Sequence, residues 1–439
     1  MLTSGRDGMV TLVCHQGCHR SVIRGGQHVG MNQSLELRVD DLPSVHRFLR
    51  LAVVTETYPP EVNGVSLSVA RLVEEMRARN HSVQLVRLKQ RDPEDGSGRQ
   101  QSDDVLLRGM PIPRYPHLKM GVPSTRALAE LWTRQRPDIV HIATEGPLGW
   151  SALRAARRLK LPVVSEFRTN FHAYSLHYGL GWLHKPILAY LRKFHNQTQR
   201  TLVPTLTLKA ELERLRFERV SVMARGVDTE LFSPAHRDPE LRAAWGATRN
   251  TVIMLCVGRI AVEKNLGLLH DAWQEALRRG LKVHLIVVGD GPIRSELERQ
   301  WPGVQFTGLQ RGHELARIYA SADLFVFPSL TETYGNVVPE AMASGLPVVA
   351  FDCAAASQLI RSGCDGYLAA CDNPAQFVEQ VCLAAASAQS RSAMGNHARA
   401  RAQDQGWDRI ISDLEHVMLD LLESPGTSPE PLEWRPVMN

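Results

Sequence analysis

Residues 329–352 read SLTETYGNVVPEAMASGLPVVAFD. An apolar run, Leu324–Phe327, leads into this stretch, and a second, Pro347–Phe351, leaves it. Between them, Val337 to Ser344 have helical composition. Asn336 is placed to cap that helix, Pro339 suits its first turn, and Gly345 suits its end. The spacing predicts a strand–loop–helix–strand unit. Glu332 falls on the loop at the carboxyl end of a strand, and Glu340 falls in the first helical turn. Such a unit is the repeating element of a parallel α/β sheet.

The same rhythm extends in both directions. Toward the N-terminus, RLAVVTETYPP, SVQLVRL, DIVHIAT, PVVSEF, TLVPTLTLKAELERL and VSVMARGVD read as strands or strand-to-helix passages, with helices over 65–81 and 149–159. Residues 89–104 have the composition of a loop. The pattern then restarts with TVIMLCVGRI, VHLIVVGDG, VQFTGL, LFVFPSL and LPVVAFD. Two Rossmann-like α/β domains in tandem are predicted. The first spans 48–228 and the second 229–406, with an amphipathic C-terminal helix over 407–424. Residues 1–47 read as a disordered or non-native leader, with Met31 a second candidate start, and residues 425–439 as a Pro-rich disordered tail.

A chain of 439 residues is long for one core and suits two domains. Its apolar runs stop short of the ~20 residues that a membrane span requires. The N-terminus lacks the apolar segment of a signal peptide, which predicts a cytoplasmic protein. Seven cysteines without framework spacing fit reduced thiols. Cys14-His15 and Cys18-His19 form a weak metal-like pattern in a polar leader, and no metal is expected. The net charge of +5 is uneven, since residues 48–218 carry 26 Lys and Arg against 16 Asp and Glu, a balance of +10. A basic half suits an anionic partner such as an acidic substrate or a membrane surface, and equally a solvated arginine-rich surface. The interleaving of aromatic and basic residues that marks a nucleic-acid groove is missing.

Ligands of open parallel sheets bind beyond the carboxyl ends of the strands. At one such junction Arg259 and Lys264 lie on a single short loop, VGRIAVEKN, and can clamp the two phosphates of a diphosphate. At the next, VVGDGP provides a turn at Gly289 where backbone can approach a ligand. At the third, the amides of Gly335, Asn336 and Val337 would face an anion or sugar at a helix N-terminus. Glu332 is positioned for sugar hydroxyls and Glu340 for the hydroxyls of a ribose. Together these predict a nucleotide-sugar site. In the first domain, Gly64 stands at the entrance to the first helix, where backbone can approach the diphosphate from the opposite side. The segment SEFRTNFHAYS puts His172 beyond a strand end, at the cleft. A dinucleotide fingerprint is missing after the first strand, which disfavours a dehydrogenase.

These residues resemble the family 4 glycosyltransferases, retaining enzymes of the GT-B fold, over roughly residues 49–424. The resemblance rests on ETYGNVVPE with its continuation AMASGLPVVAFD, and on VGRIAVEKN, VVGDGP, ARGVDTELFSP and PPEVNGV in the expected order. It implies two Rossmann-like domains facing a central cleft, with the last helix crossing back to the first domain. It further implies that His172 lies beside the transferred sugar, and that Arg259 and Lys264 stabilise the leaving diphosphate without a metal or other cofactor. Gly64 would contact that diphosphate, Glu332 the donor sugar, and Glu340 the ribose. The expected reaction transfers a hexose, mannose in preference, from GDP-mannose or a UDP-sugar to a lipid or glycan hydroxyl. Alternatives are a phosphorylase or disaccharide synthase on the same fold, and a non-enzymatic nucleotide-sugar or nucleic-acid binder. The segment 179–200 offers Trp182, Leu183, Leu188, Leu191 and Phe194 on an apolar side, and Lys185, Arg192, Lys193 and Arg200 on a cationic one. It suggests peripheral attachment to an anionic inner membrane face, or else packing of its apolar side on the core.

Overall fold

The computed structural model describes residues 48–61, 63–89, 104–112, 115–168 and 184–423. The leader with its Cys14 and Cys18, the position of His172, and the tail from 424 onward lie outside the described residues. The first half contains β1 (Arg50–Val54), β2 (Ser82–Leu88), β3 (Val105–Leu107), β4 (Gly109–Ile112), β5 (Tyr115–Gly121), β6 (Ile139–Ile142), β7 (Val163–Glu166), β8 (Arg200–Val203) and β9 (Val220–Val222). Seven of these form one parallel sheet in the order β3-β2-β1-β6-β7-β8-β9, while β4 and β5 make a separate antiparallel pair. The second half contains β10 (Val252–Val257), β11 (Val283–Val288), β12 (Gln305–Gly308), β13 (Leu324–Phe327), β14 (Val348–Phe351) and β15 (Gly366–Ala369). They form a second parallel sheet, ordered β12-β11-β10-β13-β14-β15. Every side chain of β10 (VIMLCV) is buried, as expected of a strand covered on both faces.

The helix Gly64–Ala78 begins where Asn63 accepts a bond from the Ser66 N–H at 2.8 Å. Val69, Leu72, Val73 and Met76 recur on its buried face at helical spacing. The last helix, Trp407–Glu423, presents Ile411, Leu414, Val417, Met418 and Leu421 to the same cluster as Leu49, Leu51, Val53 and Leu72. It therefore crosses back onto the first sheet. Arg79 binds Glu415 at 2.5 Å and also pairs with Asp408. His81 Nδ1 accepts the Leu49 N–H at 3.1 Å, which leaves Nε2–H to donate to Glu415 Oε1 at 2.7 Å.

The chain passes between the two sheets at Arg225–Val227 and returns at Gln405–Trp407. The two passages run side by side: Val227 pairs in parallel with Gly406, and its N–H donates to Gln405 O at 3.0 Å. A Cβ on Gly226 would stand 2.6 Å from Cδ2 of Trp407 and 2.8 Å from its Cα, so only glycine admits the returning helix. The glycine of ARGVD is thereby a packing requirement of the crossover.

Leu414 is fully buried and far in sequence from the strands it covers. Leu414→Ala is expected to lower unfolding free energy by about 2–5 kcal/mol in denaturant titrations. Leu383→Ala, at a side chain 52% exposed, should cost under about 1 kcal/mol. Equal losses would contradict the packing described for the last helix.

Candidate functional site

In the second sheet, β10 and β13 are neighbours while the chain winds outward from them in opposite directions. A crevice opens at such a switch point, beyond the carboxyl ends of the strands. The loop after β10 carries Arg259 and ends in a single turn, Val262–Lys264. The loop after β13 carries Ser329, Glu332, Tyr334 and Gly335. The two are laced together: Asn265 Nδ2 donates to Pro328 O at 3.3 Å, and Thr331 Oγ1 donates to Glu263 O at 3.2 Å. Across this join Lys264 forms an ion pair with Glu332, each side chain 14% exposed. Ser329 Oγ donates to the same Glu332 oxygen at 2.8 Å. Arg259 is exposed and reaches Glu263 at 3.7 Å. A small cavity bounded by Gly258, Arg259, Lys264 and Phe327 opens beside the pair.

Gly335 and Asn336 lie just ahead of the helix Val337–Ala343, and neither N–H has a backbone partner among the described residues. Asn336 departs from the expectation of a side-chain cap. Its backbone is already helical, its side chain caps nothing, and its Oδ1 is buried with no partner. The amide is turned toward the first domain instead, where its Nδ2 lies 3.7 Å from the position a Cβ on Gly64 would take. Gly64 and Asn336 thus meet across the two sheets. Glu340 sits in the first turn as expected and accepts the Tyr319 hydroxyl at 3.0 Å, and burial pushes its carboxyl up to about 7. Gly289 also has a packing reason to be glycine, since a Cβ there would collide with the carbonyl of Gly258.

Several groups at the site were not singled out from the sequence. Arg225, on the crossover, holds its guanidinium 5.9 Å from the Tyr334 ring centroid, and Tyr334 donates to Arg225 O at 3.2 Å. Burial and the nearby Arg168 push Arg225 down to about 10. In the first sheet, Glu166 binds His141 Nε2 at 2.5 Å and Arg168 Nη2 at 2.8 Å. Burial would raise this carboxyl, but the Arg168 charge and His141 hold it down to about 2.

Glu56 and Glu145 follow β1 and β6, the neighbouring strands at which the first sheet reverses its winding. Glu56 accepts the N–H groups of Leu148 at 2.8 Å and Gly121 at 3.1 Å, and so caps the helix Pro147–Arg158. Glu145 is buried with Oε1 unpartnered, and burial together with the Glu56 charge raises it to about 8. The strand-end rule that found Glu332 would also have found these two.

The segment 179–200 is corrected in part. Its helix, His184–His195, buries Leu191 and Phe194 in the core, and Leu188 packs beside them. Arg200 lies buried in β8 with Nη1 on Ser221 Oγ at 2.8 Å, and Arg192 donates to Leu215 O at 3.1 Å. The described part of the apolar side is core, and of the four cations only Lys185 and Lys193 are exposed. Trp182 and Leu183 lie outside the described residues. No helix among the described residues is long and apolar enough to cross a membrane, and none of their acidic, His and Cys side chains cluster as a metal site.

Two facing parallel sheets, a phosphate-suited loop pair and a returning last helix define a nucleotide-sugar glycosyltransferase of the GT-B fold. Residues 62–231 match the family described as Glycosyltransferase Family 4, and residues 251–386 match Glycosyl transferases group 1. The chain is 36% identical over 323 residues to a GDP-mannose-dependent alpha-mannosyltransferase of Mycobacterium tuberculosis, covering 73% of this chain and 83% of that one. It is 28% identical over 320 residues to an alpha-monoglucosyldiacylglycerol synthase of Streptococcus pneumoniae, covering 69% and 71%. Among solved structures, sucrose-phosphate synthase of Thermosynechococcus elongatus superposes with a TM-score of 0.72 at 18% identity, covering 85% of this chain and 99% of that one. The chain belongs to glycosyltransferase family 4, and it is a hexosyltransferase that uses a nucleotide sugar.

Glu145 gives the fold a specific pH dependence. Between its ordinary value of 4.5 and about 8 it holds a proton in the folded chain that the unfolded chain has lost. Unfolding therefore releases a proton, and stability falls with rising pH across this window, by up to about 1.4 kcal/mol per pH unit from this group. Glu145→Gln is expected to flatten that slope in denaturant titrations at pH 5.5, 6.5 and 7.5. An unchanged slope would contradict the buried, protonated state.

Proposed function

We propose that the enzyme transfers mannose from GDP-mannose to a hydroxyl of a lipid-borne acceptor, with retention at the anomeric carbon. The observation that carries the site reading is the Lys264–Glu332 pair at the β10/β13 switch point, held by Ser329, with Lys264 bordering a small cavity. The base and sugar are supported by the mannosyltransferase relative at 36% identity, and the lipid acceptor by the diacylglycerol-directed one.

In this reading the diphosphate takes Lys264 from Glu332. Arg259, exposed at the rim, closes on it from outside, and the free amides of Gly335 and Asn336 add donors at the helix N-terminus. Glu332, released from the lysine, accepts sugar hydroxyls, while Glu340 accepts those of the ribose. Gly64 admits the diphosphate against the first domain, and the family resemblance assigns His172 to the transferred sugar. As the anomeric bond breaks, charge builds on the departing diphosphate, where Lys264 and Arg259 already stand in place of a metal ion. The acceptor hydroxyl approaches on the face the diphosphate leaves and gives its proton to a departing phosphate oxygen. It enters over the carboxyl edge of the first sheet, where Glu56 and Glu145 lie.

Lys264→Ala is expected to lower kcat/KM for GDP-mannose by about 10²–10³-fold, the loss typical of one preorganised donor at a developing oxyanion. Glu332→Gln should likewise remove most turnover while the chain still folds, with a lowered unfolding midpoint because Lys264 loses its counter-charge. Near-normal turnover in either variant would remove its assigned role, and a strict divalent-metal requirement in the parent enzyme would count against the two-cation mechanism.

The donor base is tested by thermal denaturation with nucleoside diphosphates. GDP should raise the midpoint more than UDP at equal concentration, and the reverse order would make a UDP-sugar the better donor.

A further inference from the structure

The parallel strands β14 and β15 are in register through Phe351 opposite Ala369, and the Asp352 N–H continues the ladder to Ala369 O at 2.8 Å. Two residues beyond that pair, on each strand, stand Cys353 and Cys371. Neighbouring strands stand about 4.8 Å apart, a spacing inside the 4.4–6.8 Å Cα range usual for a disulfide. Cys371 Sγ reaches back to Asp352 O, the residue before Cys353, at 3.7 Å. Cys371 is exposed and Cys353 partly covered. On its other side Cys353 Sγ points at Ser329 O, 3.9 Å away, and Ser329 holds Glu332. The turn between them is constrained: Ala354 has φ +51°, and the Ala355 N–H donates to Tyr334 O at 2.9 Å.

We propose that Cys353 and Cys371 form an oxidisable dithiol that closes to a disulfide beneath the donor loop and weakens donor binding. With hydrogen peroxide as oxidant, the exposed Cys371 thiolate attacks one oxygen, the O–O bond breaks, and a sulfenic acid and hydroxide result, the hydroxide becoming water with the proton the thiol had released. Cys353 sulfur then attacks that sulfur, the S–O bond breaks, and the leaving hydroxide takes the Cys353 proton as a second water. Two thiols lose two electrons in all, and one peroxide becomes two waters. Cys371 is the exposed one and meets peroxide first, while burial pushes the Cys353 thiol up to about 12 and leaves it as the resolving one. Closure takes the S–H donor of Cys353 away from Ser329 O, which loosens the support under Glu332.

The experiment treats the full-length protein with hydrogen peroxide and reads two quantities. Trypsin cleaves after Arg361, between the two cysteines, so the disulfide joins two peptides whose fragmentation distinguishes Cys371 from Cys364 and Cys382. The linked peptide should appear, and the Kd for GDP-mannose should rise about two- to fivefold, the scale of one weak S–H···O contact. Dithiothreitol should reverse both changes, and Cys371→Ser should show neither. Continued alkylation of Cys353 after peroxide, or linkage to Cys364 or Cys382, overturns the dithiol. A Cys353–Cys371 link with unchanged GDP-mannose affinity overturns the coupling to the donor loop. That coupling rests on the donor-binding role proposed for Glu332, whereas the peptide link does not, so the two failures are separable.

Discussion

The side-by-side passage of Val227 and Gly406 is the constraint on which the rest of the structure depends. Both connections between the two sheets run through it, and each is hydrogen-bonded to the other. The outgoing connection brings Arg225 under Tyr334, in the loop that carries Glu332. The returning connection starts the helix that seals the first sheet. A glycine at 226 allows the two to touch, and the contact between Gly64 and Asn336 depends on the spacing that results.

Within that frame the donor site stores opposite charges against each other. Lys264 and Glu332 are largely shielded from solvent, so their attraction is stronger than that of an exposed pair, and separating them without a replacement is costly. A diphosphate replaces the partner of the lysine, and sugar hydroxyls replace the partner of the carboxylate. Selectivity for a ligand carrying both groups follows from this double exchange. The first sheet keeps its own buried charge balanced separately, with Glu166 between His141 and Arg168.

Much of this was legible in the sequence, for reasons visible in particular residues. Strands such as β10 and β13 are continuous apolar runs because both of their faces are covered, and the last helix matches its amphipathic pattern from Trp407 to Glu423. The strands missed were β3, the β4–β5 pair and β15. Prolines and charges interrupt the pair, and β15 (GYLA) is short and opens on glycine. At the site, Lys264 and Glu332 were legible because charged residues at strand ends have few structural reasons to be there. His141 and Glu166 were not, because only the pairing of β6 with β7 brings residues 25 positions apart into contact. The amphipathic stretch around Leu191 and Phe194 misled in part, since an apolar face reads the same whether it meets a core or an interface.

The most direct measurement is a crystal structure of the enzyme with GDP-mannose bound. Lys264 Nζ should lie within hydrogen-bonding distance of a diphosphate oxygen, with Glu332 turned to the hydroxyls of the sugar. An intact Lys264–Glu332 pair, with the diphosphate bound elsewhere, would contradict the account.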